Sequence, residues 1–331
     1  MMKHILLFLL SLVLISCTKT ATEATILQGK AFGTTYAIQY FSETEFDAEK
    51  GIDSIIYTVN KSVSTYLPKS DISKINQGDT TVVTDTIFRD VYRVSETVFK
   101  ASDGYFDPTV GILRNAYGFG DMAPIVEIDS VVLDSLRRFV GFNKVQLLDD
   151  GRVRKQYPEI YFDFNAVAKG YGIDRIGAFL EANGVTDYLI ELGGELLAKG
   201  INQSKQQPWI VGIEAVDSDI ENRSYKATIR LENSGMASSG NYRKFRINPR
   251  TGKKYVHTIN PHTGFAQESD VTSAAVVAPT CALADAYATA FMSMGFESAK
   301  NIAEQIVGVE AYLTYFDDSD TPQVFMTAGF E

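Results

Sequence analysis

Cysteine and histidine are scarce in this sequence, which contains two cysteines and three histidines in 331 residues. Two cysteines cannot form the disulfide framework of a small secreted domain. Cys281 lies in the apolar segment APTCALADA, so we predict that it is a small core residue without a nucleophilic role. His257 and His262 are five residues apart, and the ligands that would complete a zinc site are not arranged nearby. The sequence therefore disfavours disulfide-stapled scaffolds and zinc sites.

Positive charge is limited, with 31 Lys and Arg against 41 Asp and Glu and a net charge of -10. An acidic chain is a poor candidate for a nucleic-acid binder, so no nucleic-acid partner is expected. The 9 prolines and 25 glycines are too few for a low-complexity chain. A hydrophobic content of 45% and a charged content of 22% instead indicate a globular protein of one or two domains.

Residues 5–15 form a long apolar run, ILLFLLSLVLI, after a short basic start. The run is too short for a permanent membrane span but suits the hydrophobic region of a secretory signal. It ends in Leu14-Ile15-Ser16-Cys17, which resembles a bacterial lipobox; a buried anchor helix with an incidental cysteine is the alternative. We predict a signal peptide at 1–16, a lipid-bearing Cys17, a tether at 17–25 and one domain at 26–331. The mature protein would then be lipid-anchored to a bacterial membrane of the cell envelope and face the periplasm.

Strands and helices are predicted from period-2 and period-3.6 patterns of apolar residues. Predicted strands are adjacent in pairs more often than they alternate with helices, which favours an α+β fold over a doubly wound sheet. No linker divides the domain, so we expect a single compact unit with mainly antiparallel sheets and packed helices. The elements nearest the motifs below are strands at Ile160–Phe162, Tyr188–Leu192 and Tyr242–Ile247 and helices at about 166–181 and Leu283–Met294.

The segment from Asp163 to Gly170, DFNAVAKG, joins a predicted buried strand to a predicted helix. Asn165 is well placed as the N-cap of that helix. A helix N-terminus favours anions, and Lys169 would add a full positive charge. The alternative is a capped helix with a solvated lysine.

Asp285 and Thr289 are four residues apart in a predicted helix rich in small residues, so their oxygens share one face. Burying an ionised aspartate is costly unless it is paired or binds a metal. A carboxylate and a hydroxyl suit a hard cation such as Mg²⁺. An Asp–Thr hydrogen bond or a buried salt bridge is the alternative.

The two histidines of the mature chain lie in the segment YVHTINPHTG. We expect His262, in the Asn-Pro-His-Thr-Gly turn, to be a solvated loop residue. His257 lies on a short predicted strand that enters the turn and is the better candidate for a general base. A structural role for His257 is the alternative.

Taken in order, eight segments resemble the ApbE family of FAD:protein FMN transferases from about Gly33 to Gly295. The matching segments are Gly33 to Tyr36, Ser64 to Ser70, Phe106 to Gly111 with Tyr117 to Gly120, Asp163 to Gly170, Glu191 to Glu195, Ser239 to Arg243, His257 to Gly264, and Ala278 to Thr289. The resemblance implies an ApbE-like (T-fold-like) unit and a Mg²⁺-dependent enzyme. Such an enzyme transfers FMN from FAD to a Thr or Ser hydroxyl through a phosphoester bond and releases AMP. The implied acceptors are flavoprotein subunits of membrane redox complexes (Rnf- and Nqr-like).

Site residues follow from the same resemblance, position by position. Asp285 and Thr289 match the metal ligands, with the carbonyl oxygen of Ala166, and His257 matches the catalytic histidine. The positions implied to bind FAD are Phe32, Tyr66, Tyr105, Phe106, Asp107, Asp163, Lys169, Gly193, Gly194 and Thr263.

The chain departs from the family pattern at three positions. Phe32 stands where the family usually has Met, Asn165 where it has Ser, and Asn260 where it has Asp. Asn260 puts any acid role at that position in doubt. Hydrolysis of FAD to FMN and AMP, and flavin binding without catalysis, remain alternative functions.

Overall fold

The structure is a computed structural model that describes residues 23–214, 225–241, 245–248, 252, 254–266 and 269–330. The predicted signal peptide, Cys17 and part of the predicted strand at Tyr242–Ile247 lie outside the described residues. Within the described ranges, no helix has the length and apolar character needed to cross a membrane.

The described residues form fifteen strands, eight α-helices and one short 3-10 helix, Phe142–Lys144. The strands are β1 Thr25–Ala31, β2 Thr34–Phe41, β3 Val145–Leu147, β4 Val153–Lys155, β5 Asp187–Leu192, β6 Glu195–Lys199, β7 Ile201–Asn202, β8 Gln207–Glu214, β9 Tyr225–Leu231, β10 Ser234–Gly240, β11 Phe245–Ile247, β12 Lys254–Val256, β13 Val271–Ala278, β14 Glu310–Phe316 and β15 Pro322–Met326. The helices are α1 Ala48–Val63, α2 Asp71–Asn76, α3 Thr86–Ala101, α4 Gly111–Tyr117, α5 Ser130–Arg137, α6 Ala168–Ala182, α7 Cys281–Met294 and α8 Phe296–Ala303.

One large sheet organises the fold, with eight strands in the order β1-β2-β5-β6-β10-β13-β14-β15. Every neighbouring pair in this sheet is antiparallel. Smaller sheets are formed by β3-β4, β7-β8-β9 and β11-β12. Antiparallel strands with helices packed against them make an α+β fold, which confirms the predicted class.

Helix α7 lies largely inside the protein, with twelve of its 14 residues buried. It packs against α6, β10 and β13. Its many alanines let these elements approach closely, and glycines complete the contact: a Cβ atom at Gly170 would overlap the carbonyl oxygen of Cys281, at the start of α7. The free thiol of Cys281 is fully buried, which confirms its prediction as a core residue. The close contact fixes the start of α6 beside the side chains of α7.

Two local predictions about this region are wrong. Helix α6 begins at Ala168, with Val167 as its N-cap and no side-chain capping bond, so Asn165 is not the cap. A turn precedes the helix because the amides of Val167 and Ala168 both donate to the carbonyl of Phe164. The predicted strand at Ile160–Phe162 is reduced to a single bridge between Tyr161 and Val110. The backbone of Phe162 is paired with a side chain instead of a strand: the side chain of Asn76 donates to its carbonyl oxygen and accepts from its amide.

Candidate active site

A cavity of about 600 Å³ opens between the start of α6, the buried face of α7 and the ends of several strands. Its volume lies in the range typical of small-molecule sites. Strand β8 and the turn between β5 and β6 line one wall, and the segment 105–110 and the loop after β12 line another. The predicted site residues on its wall are Tyr105, Phe106, Asp107, Asp163, Ala166, Lys169, Gly193, Gly194, His257, Asp285 and Thr289.

Three predicted FAD-binding residues lie outside this wall. Phe32, in the turn between β1 and β2, points its ring at Gly172 of α6 and packs with the core. Tyr66 is 58% exposed, and its hydroxyl interacts with Arg114. Thr263 is exposed and uses its hydroxyl to accept the amide of Phe265 at 3.2 Å. Flavin contacts of these three residues stay predictions.

Lys169, Glu195 and Asp285 form a buried charged cluster at the cavity. Glu195 is 3% exposed and Asp285 is 5% exposed. The ammonium of Lys169 pairs with Oε1 of Glu195, and Glu195 is within hydrogen-bonding reach of Asp285. Burial raises the pKa of Glu195 and of Asp285, and their proximity adds to the shift for Glu195. Burial alone would lower the pKa of Lys169, but the two carboxylates outweigh it and raise that pKa.

Hydrogen bonds with α6 position both the side chain of Asp285 and the start of α7. The amide of Gly170 donates to Oδ2 of Asp285 at 3.2 Å. The carboxylate of Asp174 accepts the amides of Cys281 at 2.8 Å and Ala282 at 2.9 Å, which are free at the N-terminus of α7. Burial raises the pKa of Asp174 to about 7. The two helices therefore fix the position of Asp285 relative to Lys169.

Asp163 is also held on the cavity wall by a buried ion pair. Arg114 of α4 pairs with Oδ2 of Asp163, and Oδ1 accepts the amide of Asn165 at 2.8 Å. Asn165 also lines the cavity, and its Nδ2 has no hydrogen-bond partner among the described residues. Burial lowers the pKa of Arg114, but Asp163 outweighs it, so the pKa lies above its usual value. A buried amide donor without a partner suits a ligand that brings an acceptor oxygen.

Asp107 anchors the 105–110 segment. One carboxylate oxygen accepts the amide and the hydroxyl of Thr109 at 2.7 and 2.6 Å, and the other accepts the amide of Phe142 at 3.0 Å. Burial raises the pKa of Asp107 to about 6. These bonds hold Tyr105 and Phe106 on the cavity wall.

The two histidines have different surroundings. His257 follows β12, is half-buried and lines the cavity. His262 is exposed, but its Nε2 lies 2.9 Å from the carbonyl oxygen of Asp103 and its ring packs edge-on against Tyr105. The prediction of an exposed loop residue is therefore confirmed, and the contacts with Asp103 and Tyr105 are additional to it. Asn260 accepts the amides of His262 and Thr263 and donates to the carbonyl of Ser293, so it shapes the turn.

The donor set at α7 fits a hard divalent cation. Asp285 offers a buried carboxylate, Thr289 a hydroxyl and Ala166 a carbonyl oxygen on the same cavity wall, and Oε2 of Glu195 is buried without a hydrogen-bond partner among the described residues. Oxygen ligands of this kind suit Mg²⁺. In the described ranges, no group of three or more His, Cys, Asp or Glu side chains is arranged to hold a metal.

Sequence reasoning missed three residues of this site: Arg114, Asp174 and the role of Glu195. Glu195 lies in the Gly-rich segment Glu191 to Glu195, and a carboxylate beside two glycines could have marked it. Asp174 and Arg114 carry no local signal, because their partners are more than 40 residues away in the chain.

Comparison with known proteins agrees with this geometry. A model of the ApbE family matches residues 32–313. An FAD:protein FMN transferase from Haemophilus influenzae is 33% identical over 308 residues, which cover 89% of this chain and 88% of the relative. The solved structure of the flavin transferase ApbE from Vibrio cholerae is 30% identical, with a TM-score of 0.82 over 93% of this chain and 98% of that one. The flavinyl transferase ApbE of Pseudomonas stutzeri, in its apo form, is 26% identical with a TM-score of 0.80 over 93% and 96%. This chain therefore belongs to the ApbE family.

Proposed function

We propose that this protein transfers FMN from FAD to a Thr or Ser hydroxyl of an acceptor protein and releases AMP. The observation that carries the proposal is the buried cluster of Lys169, Glu195 and Asp285 on the wall of a ligand-sized cavity, in a chain of the ApbE family. The relatives from Haemophilus influenzae and Vibrio cholerae bear the names of flavin transferases.

The cavity offers suitable donors for the pyrophosphate of FAD. Lys169 brings a positive charge and Asn165 brings an amide donor without a partner among the described residues. Both lie where α6 begins, and the positive end of a helix attracts phosphate. Tyr105 and Phe106 line the same cavity and offer aromatic surface for the flavin ring.

Asp285, Thr289 and the carbonyl oxygen of Ala166 would hold Mg²⁺ in this site. When bound, Mg²⁺ polarises the pyrophosphate and neutralises charge on the leaving phosphate. The protein contributes by positioning Asp285, since the amide of Gly170 in α6 donates to its carboxylate and the carboxylate of Asp174, also in α6, binds the first amides of α7. Positioning of this kind supplies much of the rate in phosphoryl transfer.

The transfer step forms one bond and breaks one bond. The acceptor hydroxyl oxygen attacks the phosphorus of the FMN half, and the bond from that phosphorus to the bridging oxygen breaks. AMP leaves with the bridging oxygen, and the product is a phosphoester of FMN on the acceptor. His257, which lines the cavity, accepts the proton of the hydroxyl.

We further propose that the protein is a lipoprotein of the bacterial cell envelope with Cys17 as its lipid-bearing residue. The lipobox-like sequence before Cys17 and the apolar run at 5–15 support this location. The acceptors would then be exported domains of membrane redox complexes, of the Rnf and Nqr type.

Product analysis tests the proposed function. The purified protein is incubated with FAD, Mg²⁺ and an exported flavoprotein domain, and acceptor mass, AMP and free FMN are measured. We expect a mass gain of one FMN moiety on the acceptor with one AMP released for each. AMP with free FMN and an unmodified acceptor would identify an FAD pyrophosphatase, and no product of either kind would identify a flavin-binding protein without catalysis.

A further inference from the structure

Glu195 lies at the start of β6, directly after the glycine turn that lines the cavity. Only 3% of its surface is exposed. One carboxylate oxygen, Oε1, pairs with Lys169. The other, Oε2, is buried and has no hydrogen-bond partner in the described part of the chain. A buried carboxylate oxygen without a donor is costly and requires a physical explanation.

The neighbour of Glu195 is another carboxylate, that of Asp285. Two ionised carboxylates within hydrogen-bonding reach repel each other unless a cation or a proton lies between them. Lys169 is the ammonium that pairs with this cluster, and it can balance only one of the two carboxylates when both are ionised, so that the second needs a proton or a cation. The cluster faces a cavity, so a cation can reach it.

We propose that Glu195 is a further acidic group of the divalent-cation site, where its free oxygen Oε2 binds the cation or a water molecule bound to it. This inference rests on the proposed Mg²⁺ dependence and extends the predicted donor set of Asp285, Thr289 and Ala166. Oε1 keeps its ion pair with Lys169. Glu195 therefore contacts both the ammonium proposed to bind phosphate and the cation held by Asp285.

Cation affinity, measured without FAD, tests the proposal. Mn²⁺ is a suitable probe because it accepts the same oxygen ligands as Mg²⁺ and can be titrated by electron paramagnetic resonance. We expect Glu195→Gln to weaken Mn²⁺ binding by at least ~10-fold, the effect typical of losing a group that supports a metal site. The matched control is Glu191→Gln on the same hairpin, because the side chain of Glu191 accepts the amide of Gly194 at 2.8 Å and an amide oxygen can replace it there.

A double variant separates a direct role from a general charge effect. Glu195→Gln removes one negative charge, and Lys169→Met in the same protein restores the net charge of the cluster. If the carboxylate of Glu195 acts only through charge, the double variant should bind Mn²⁺ as the wild type does. If Oε2 holds the cation or its water, binding stays at least ~10-fold weaker. Glu195→Asp, which keeps the charge but withdraws the carboxylate by one methylene, should also bind more weakly.

Wild-type affinity in Glu195→Gln, restored affinity in the double variant, or a wild-type protein that takes up no Mn²⁺ would each overturn the proposal. Thermal melts without metal check that each variant is folded. The outcome is independent of catalysis: a wild type that binds Mn²⁺ through Glu195 but transfers no flavin would disprove the proposed function and leave this inference standing.

Discussion

The proposed mechanism gives His257 the role of general base for the acceptor hydroxyl. An acceptor hydroxyl is a weak nucleophile, and a well-placed general base contributes roughly 10²–10⁴ in rate. We expect His257→Ala to keep FAD binding and to lose at least ~10²-fold in transfer rate.

The matched variant for this test is His257→Gln, which keeps hydrogen bonding but is not a base. A rate near that of the wild type in His257→Gln would make His257 structural. Phosphoryl transfer can proceed with little help from a base because its transition state is often loose. Both rates are measured under single turnover, with FAD binding measured separately by calorimetry.

Residue types and spacing predicted much of the cavity wall, but not the contacts within it. The four-residue spacing of Asp285 and Thr289 predicts that both polar groups share one face of a helix. The sequence does not indicate the partner of Lys169, because Glu195 is 26 residues further along the chain and the pairing depends on the packing of β6 against α6. The residue type of Asn165 predicts a helix cap, but a turn follows it and the helix begins only at Ala168.

The contact between α6 and α7 is the structural element on which the site depends. A Cβ at Gly170 would overlap the backbone of Cys281 and Ala282, which cannot move without displacing α7. We expect Gly170→Ala to destabilise the protein by ~1–3 kcal/mol, as overpacking of a core usually does. It should also weaken catalysis, because the amide of Gly170 holds Asp285.

The control is Gly172→Ala on the same helix, where the atoms nearest to the new Cβ belong to the side-chain ring of Phe32 and not to the backbone of α7. Both substitutions gain the same helix propensity, so their difference reports the contact between the helices. Chemical denaturation measures the free energy of unfolding of each. If Gly170→Ala lowers the free energy of unfolding by no more than Gly172→Ala does, the close approach of α6 and α7 is not needed for stability.

Element boundaries followed from the sequence where the apolar pattern was strong. The predicted helix Leu283–Met294 differs from α7 only at its start, which is Cys281 because Thr280 caps the helix through its hydroxyl. Short helices such as α2 and α4, with six and seven residues, were missed because they show too few turns for a periodic pattern.

At the scale of the whole molecule, the order of strands in the large sheet could not be predicted. Strand β2 pairs with β5 and β6 pairs with β10, so the sheet brings together segments more than 30 residues apart. Such pairings depend on tertiary packing and leave no local pattern in one sequence. The α+β class could be predicted from the sequence, because it depends only on the types of the elements and their order along the chain.

Attachment to a membrane is also a property of the whole molecule, and we predict that the lipid is attached at Cys17. We expect Cys17→Ser to prevent lipid attachment, so that the variant is released or remains unprocessed. Fractionation of cells and mass spectrometry of the N-terminus measure this. A cytosolic, unlipidated product from the native sequence would contradict the predicted signal peptide at 1–16.

The central claim is that flavin transfer takes place in the cavity beside α7, with Asp285 at its metal site. The most direct test is the rate of FMN attachment, measured by intact mass of the acceptor with FAD and Mg²⁺. We expect Asp285→Ala to reduce that rate by at least ~100-fold, since loss of a bound metal ion removes several kcal/mol of transition-state stabilisation. The exposed control Asp318→Asn, in the turn before β15, should transfer FMN at the wild-type rate. Equal rates for Asp285→Ala and Asp318→Asn would contradict the account.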